Sequence, residues 1–222
     1  MRFEIEDGIL TEYDGSEEHV VIPDSVIRID DNVFEGHTEI RTVVFPEGLQ
    51  EIGDSAFTGC TALESIELPD SVTLIDSLAF YECCALRSVR LPRDLEEISD
   101  QVFMETDIST IELPEGLRYI GDGAFAGCKK LKSVHIPDSV EKIDVLAFGY
   151  MSNWDTDSEK IEGFELHGRL NGPARSYAHE YEQVFVPDDG DLSDLPEFEI
   201  RNGVLVSYNG SEETVVIPDT VT

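Results

Sequence analysis

Basic residues are scarce in this chain. Fifteen lysines and arginines stand against forty-eight aspartates and glutamates in 222 residues, a formal net charge of −33 at pH 7. So negative a surface repels phosphate backbones and anionic headgroups, which argues against nucleic acid and membrane surfaces as partners. Long apolar runs are missing too. None approaches the roughly 20 residues of a membrane-spanning helix, so membrane insertion is not expected. The opening Met1-Arg2-Phe3-Glu4-Ile5 lacks the basic-then-apolar layout of an export signal. Signatures of catalysis are equally thin: the five histidines are scattered, no serine sits in a nucleophile elbow and no glycine-rich loop follows a strand. Cysteine occurs four times, an even number that invites a disulfide reading. Yet Cys60, Cys83 and Cys128 each lie three residues after a phenylalanine, in a slot held elsewhere by His37 and Met151. A position open to cysteine and methionine describes a small buried apolar site, and free thiols are expected there. Side chains in one column point the same way, not at each other. Ligands strung along coils about 5 Å apart do not converge on a tetrahedral metal, so neither metal nor cofactor is expected.

What the chain has in quantity is repetition. Phenylalanine recurs at Phe34, Phe57, Phe80, Phe103, Phe125 and Phe148, and proline at Pro23, Pro46, Pro69, Pro92, Pro114 and Pro137, both in steps of 23, 23, 23, 22 and 23. A fixed period of this size is the mark of a solenoid, and 41% apolar residues supply its core. After each proline an aliphatic residue comes third (Val26, Leu49, Val72, Leu95, Leu117, Val140) and isoleucine sixth (Ile29, Ile52, Ile75, Ile98, Ile120, Ile143). Both are predicted to point inward. A polar or glycine pair such as Gly53-Asp54 then precedes a predicted single helical turn ending in Ala-Phe. A strand follows, of the form Leu63-x-x-Ile66-x-Leu68, closed by a proline that has no N–H to extend a ladder.

These residues closely resemble the BspA-like class of leucine-rich repeats: Ile52, Ala56-Phe57, Cys60, Leu63, Ile66, Leu68-Pro69 and Ser71-Val72 fit its unit throughout. The resemblance covers about residues 1–187. It implies an α/β repeat solenoid, curved and right-handed, with a parallel β-sheet on one face, of the kind used in adhesion by bacterial and protist surface proteins. It implies a protein partner, no catalytic residues and an extracellular or cell-surface location, against which the lack of a signal-like start leaves a cytoplasmic scaffold, or a structural spacer, as alternatives.

Three regions depart from the plan. Residues Phe3–Gly15 alternate apolar and polar around Asp7-Gly8, a type I′ turn pair, and read as a β-hairpin covering the first coil. Between Phe103 and Pro114 one residue is missing, with Thr106-Asp107 at the cysteine slot, so a tighter turn is expected. After Phe148 the strand Ile161-x-x-Phe164-x-Leu166 arrives seven residues late, leaving an inserted loop that carries Tyr150 and the single tryptophan, Trp154. A short helix opening at Pro173 and a strand Val184-Phe185-Val186 read as the closing cap. Residues 188–196 form an acidic linker, and residues 197–222 repeat the chain's opening at an offset of 195, the start of a second, truncated module able to self-associate.

The exposed side of the predicted sheet is the candidate binding surface. Its rungs include Ser109, Thr110 and Glu112, and His135. Arg87, Arg90 and Arg93 form a basic rung between the acidic rungs Glu64/Glu67/Asp70 and Glu112/Glu115. That alternation of sign reads either as an anion or partner site or as cross-strand pairing between coils, typically a few tenths to 1 kcal/mol per pair. Tyr150 and Trp154 read as recognition residues on a long excursion from a rigid scaffold or, for Trp154, as a lid folded over the last coil.

Overall fold

The computed structural model describes residues 3–151 and 159–190, and the backbone of the strands at 198–201 and 204–208. The coils stack through three separate ladders, one on each side of the winding. On the narrow side run two-residue strands, because the isoleucine turns in and the next residue already begins the turn. Hairpin strands β1 (Phe3–Glu6) and β2 (Ile9–Tyr13) lead into β4 (Arg28–Ile29), β6 (Glu51–Ile52) and β8 (Leu74–Ile75), all parallel from β2 onward. The column resumes with β10 (Glu97–Ile98), β11 (Tyr119–Ile120) and β13 (Lys142–Ile143). Asp7 and Gly8 both take positive φ, 50° and 84°, as a type I′ turn requires.

On the wide side lie three-residue strands: β3 (His19–Val21), β5 (Thr42–Val44), β7 (Ser65–Glu67) and β9 (Ser88–Arg90). Beyond a gap, β12 (Ser133–His135) pairs with β14 (Glu165–Gly168) and β14 with β15 (Val184–Pro187). The side-chain period of 2 sends the middle residue inward, as in Ile66 and Val134, and leaves its neighbours outside.

The third side differs from the sequence expectation of a helical turn ending in Ala-Phe. The phenylalanine segment is instead a chain of tight turns with left-handed residues two places before each ring and two after it, or one after in the case of Phe148. Before it stand Asn32, Ser55, Leu78, Gln101, Gly123 and Leu146, with φ between 54 and 60°; after it, Gly36, Gly59, Glu82, Glu105, Gly127 and Gly149. This geometry aims the N–H groups along the stack. Phe34 donates to the carbonyl of Ala56 at 2.8 Å, Phe57 to Ala79 at 2.8 Å, Phe80 to Val102 at 3.0 Å, Phe103 to Ala124 at 2.9 Å and Phe125 to Ala147 at 2.9 Å. A helical turn would bond only within its own coil; here N–H groups that bond within the coil, as Thr58 to the Ser55 carbonyl at 3.0 Å, alternate with ones that bond to the next.

Inside, the phenylalanines form one stack, with ring centroids 4.7 Å apart for Phe34–Phe57, 5.2 Å for Phe57–Phe80 and 4.9 Å for Phe125–Phe148. Phe164 continues it at 6.4 Å, although its coil begins late, and Tyr13 meets Phe34 at the other end at 4.9 Å. The three slot cysteines are free and buried, as expected, and each thiol donates to a phenylalanine carbonyl of the coil before: Cys60 to Phe34, Cys83 to Phe57 and Cys128 to Phe103, at 3.1–3.2 Å. Thr106 fills the same slot, donating to the Phe103 carbonyl at 2.9 Å.

The last full coil meets α1 (Pro173–Glu180), the one helix among the described residues, with Pro173 in its first turn. Its Tyr177 hydroxyl accepts the Phe148 N–H at 3.1 Å, which would otherwise have no next coil to bond. Strands β16 (Phe198–Arg201) and β17 (Val204–Tyr208) pair with the register of β1 and β2, Phe198 opposite Tyr208 as Phe3 is opposite Tyr13, and with an irregularity at the same step.

Candidate interaction surface

The wide side carries the exposed polar rungs. In register, His19, Thr42, Ser65 and Ser88 form one line across β3, β5, β7 and β9, and the His19 ring is hydrogen-bonded to the Thr42 hydroxyl at 2.8 Å. Beyond the gap, His135 stands opposite His167. These two histidines, 32 positions apart, become neighbours only because an insertion separates adjacent strands; the sequence reading left them scattered.

The gap itself corrects the sequence reading. Ser109, Thr110 and Glu112 were expected on a strand, but residues 106–113 form none, and among the described residues no backbone hydrogen bond joins Ile108–Leu113 to either neighbour. The missing residue lies in the turn just before Ile108, while Ile108, Ile111, Leu113 and Pro114 keep the mutual spacing of Leu86, Val89, Leu91 and Pro92. Ile108 and Leu113 accordingly still occupy their buried slots, and it is the backbone between them that stands off the ladder. The facing edges of β9 and β12 are thereby left without a backbone partner on that side.

A groove of about 860 Å³ opens along this interruption. Its floor includes Val89 and Ile111, each only partly buried where the equivalent Ile66 and Val134 are inside. Its rims carry Arg90 and Arg93 on one side, Thr110, Glu112 and Glu115 on the other, and His135 beyond.

Most of the basic rung is spent on the stack. Arg90 donates to Asp70 at 2.7 Å and to the Leu68 carbonyl at 2.6 Å, Arg93 lies 3.4 Å from Asp70, and Arg87 donates to Asp107 at 3.3 Å. Arg41 pairs with Glu64 across β5 and β7. Asp107 also takes Lys130 at 2.8 Å; the Lys130 hydrogen bond, aided by Arg87 against some desolvation, holds its carboxyl below the usual range. Burial alone would raise Asp70, but Arg90 and Arg93 outweigh it and hold this carboxyl low as well. His135 lies 2.7 Å from Asp188, just beyond β15. Glu112 and Glu115, by contrast, have no hydrogen-bond or ion-pair partner among the described residues.

Tyr150 is placed inside, 7% exposed, with its hydroxyl donating to the Tyr181 carbonyl at 2.7 Å and its ring edge-on to Tyr181. Trp154 lies outside the described residues. Of the sequence candidates, Arg90 and His135 therefore share the groove, Arg87 sits beside it on the wide side, and Tyr150 belongs to the seal over the last coil. In the sequence the groove leaves one trace, an absent residue, which specifies a shorter turn but not which backbone bonds the next segment loses.

Repeated coils of about 23 residues, parallel strands and a phenylalanine stack define a leucine-rich-repeat solenoid. The family described as the BspA type leucine rich repeat region matches residues 5–114 and 96–157, in six copies, and the chain belongs to that family. Among solved structures, the chain is similar to the Treponema pallidum leucine-rich repeat protein TpLRR: 34% identity over 63% of this chain and 70% of that one, TM-score 0.59. A leucine-rich repeat protein from Bacteroides ovatus has the same TM-score at 24% identity, over 68% of this chain and 37% of its own. The pneumococcal vaccine antigen PcpA matches 85% of this chain at 18% identity and TM-score 0.51. The chain spans only 46% of PcpA, and the last two likenesses show the fold alone. None of the curated proteins matches the chain. No helix among the described residues is long and apolar enough to cross a membrane.

Proposed function

We propose that this chain is a non-catalytic recognition module, of the adhesin kind, that binds a protein partner across its wide side. The observation that carries the reading is the rigid array of exposed polar rungs on β3, β5, β7 and β9, interrupted by an open groove. A repeat array offers a continuous, preorganised surface, the usual route by which such folds bind proteins. The histidines on that side are held singly by a hydroxyl or a carboxylate, and the His19–Thr42 pair lies on an exposed strand row, outside the groove, an arrangement that favours a binding surface over a catalytic pocket. A surface location is supported by the family resemblance and is part of the proposal.

The test is a panel of purified extracellular-matrix and host-surface proteins presented to the immobilised chain. A saturable partner with a dissociation constant on the order of 1 μM or tighter is expected. Ser65→Tyr, on the wide side and outside the groove, should weaken it at least tenfold, while Glu35→Tyr on the turn side should not. A panel with no saturable binder, or equal loss from both variants, removes the wide side as a recognition surface and leaves a structural spacer.

A further inference from the structure

The interruption in the wide sheet, read within the interaction-module proposal, has a chemistry of its own. From the unpaired backbone, the apolar floor and the unpaired carboxylates, we infer that the groove between β9 and β12 is a docking site for an extended peptide segment of a partner protein carrying lysine or arginine beside small apolar side chains.

Three observations set this occupant. The backbone of Ile108–Leu113 and the facing edges of β9 and β12 have no backbone hydrogen bond between them, and Ser88–Leu91 and Thr110–Leu113 line the groove. An extended main chain presents donors and acceptors at matching intervals, which is how strand addition to a sheet edge gains affinity. The floor residues Val89 and Ile111 are half-covered and fit the alternate side chains that an extended peptide turns toward the protein. The charge requirement follows from the balance of the two rims. Arg90 and Arg93 share Asp70, which leaves that rim one net positive charge, whereas Glu112 and Glu115 on the opposite rim have no ion partner among the described residues and carry two negative charges, and the whole chain carries −33. A cationic side chain gains from both the local carboxylates and the long-range field, and an acidic one is repelled by both.

The net charge could attract any cationic peptide, so the decisive variant keeps the charge and closes the groove. One alanine inserted between Asp107 and Ile108 restores the spacing of the other coils, returns the segment to ladder register and changes no ionisable group. The probe is a labelled octapeptide of alternating lysine and valine, measured by fluorescence anisotropy at physiological salt, with alternating glutamate and valine as its counterpart. The lysine peptide should bind the natural chain and the glutamate peptide should not. Binding should fall at least tenfold in the alanine-insertion chain and in Glu112→Lys/Glu115→Lys, a pair of exposed substitutions that leaves the core alone, and at least tenfold again when alternate peptide nitrogens are methylated. Equal binding to the insertion chain, or indifference to N-methylation, would reduce the attraction to bulk charge and overturn the proposal; should the insertion chain not fold, unchanged binding in the double-lysine variant overturns it equally. A panel partner that still binds the insertion chain but is lost in Ser65→Tyr would leave the wide-side module standing and remove the groove alone.

Discussion

At the scale of single residues, the glycines divide into two kinds that composition cannot separate. Gly59 takes φ 71°, and a Cβ there would find nothing closer than 3.8 Å, so its role is conformational alone. Gly53 has no such φ, but a Cβ would lie 2.5 Å from Asp31 Oδ1, the oxygen that accepts the Asp54 N–H from the next coil. Gly59→Ala should cost about 1 kcal/mol, the left-handed penalty for a residue with a Cβ. Gly53→Ala should cost more, since it displaces an inter-coil bond and meets backbone at 2.8 Å; denaturant melts giving the reverse order would contradict this division. The cysteines divide likewise. Cys84 is exposed while Cys60, Cys83 and Cys128 are buried, and desolvation pushes the Cys60 and Cys128 thiols from 9.0 up to about 12 and raises Cys83 as well. An excess of aromatic disulfide reagent at pH 8 should therefore label one thiol per native chain and four after unfolding. A buried neutral thiol with a raised pKa favours the folded state below its unfolded value of 9.0, and that contribution is lost as pH climbs toward about 12. Stability should fall across this window, and Cys60→Ala/Cys128→Ala should flatten the fall; an unaltered alkaline slope would exclude these thiols as its source.

At the scale of elements, the phenylalanine-turn ladder is polar. Its N–H groups point toward the C-terminal end coil after coil, so the first coil shows carbonyls and the last shows N–H groups. The element that follows must therefore supply an acceptor, and α1 does so with the Tyr177 hydroxyl on Phe148 N–H. Helix α1 is only eight residues long, too short to hold itself in water; docking of Ala174, Tyr177 and Ala178 against the last coil stabilises it. Tyr177→Phe keeps the ring and removes the acceptor, leaving a buried donor unsatisfied at a cost of about 1–3 kcal/mol. Hydrogen exchange should locate the change at Phe148 and the helix. A loss confined to the first coils, or none, would show that the polar end of the ladder does not need this partner.

At the scale of the whole molecule, adjacent coils share stacked rings, thiol hydrogen bonds and backbone ladders, so stability is close to a sum over neighbours and the ends matter. Residues 197–222 form a second module in our proposal. The paired strands β16 and β17 make their own two-stranded sheet, which among the described residues includes no strand of the stack. Ending the chain at Asp194 should leave the thermal transition within about 2–4 °C, a change on the order of 1 kcal/mol, and should reduce any self-association seen by sedimentation. A drop of tens of degrees would place the segment in the first stack. The same view bears on the wide side. Inter-coil ion pairs such as Arg118–Glu141 at 2.8 Å and Arg169–Asp138 at 2.9 Å join neighbours around the stack, so much of the basic charge serves cohesion and the surface field stays negative.

The period alone determined the winding, the inward columns, the buried thiols and the place of each proline, because in a solenoid every coil meets the same neighbours and its requirements repeat in the chain. The opening hairpin was legible for a different reason: the Asp7-Gly8 turn and the alternation around it are local. The tertiary structure decided what depends on meeting across coils. It made the turn before each phenylalanine an inter-coil ladder instead of a helical turn, since left-handed φ at residues as unlike as Asn32, Leu78 and Gln101 leaves no common letter to read. It put Tyr150 under Tyr181, set His135 beside His167, and paired Arg90 with Asp70. It also set a break in the wide sheet at the coil whose turn is one residue short, because ladder bonds depend on how a segment meets the coils on either side, which no single coil records.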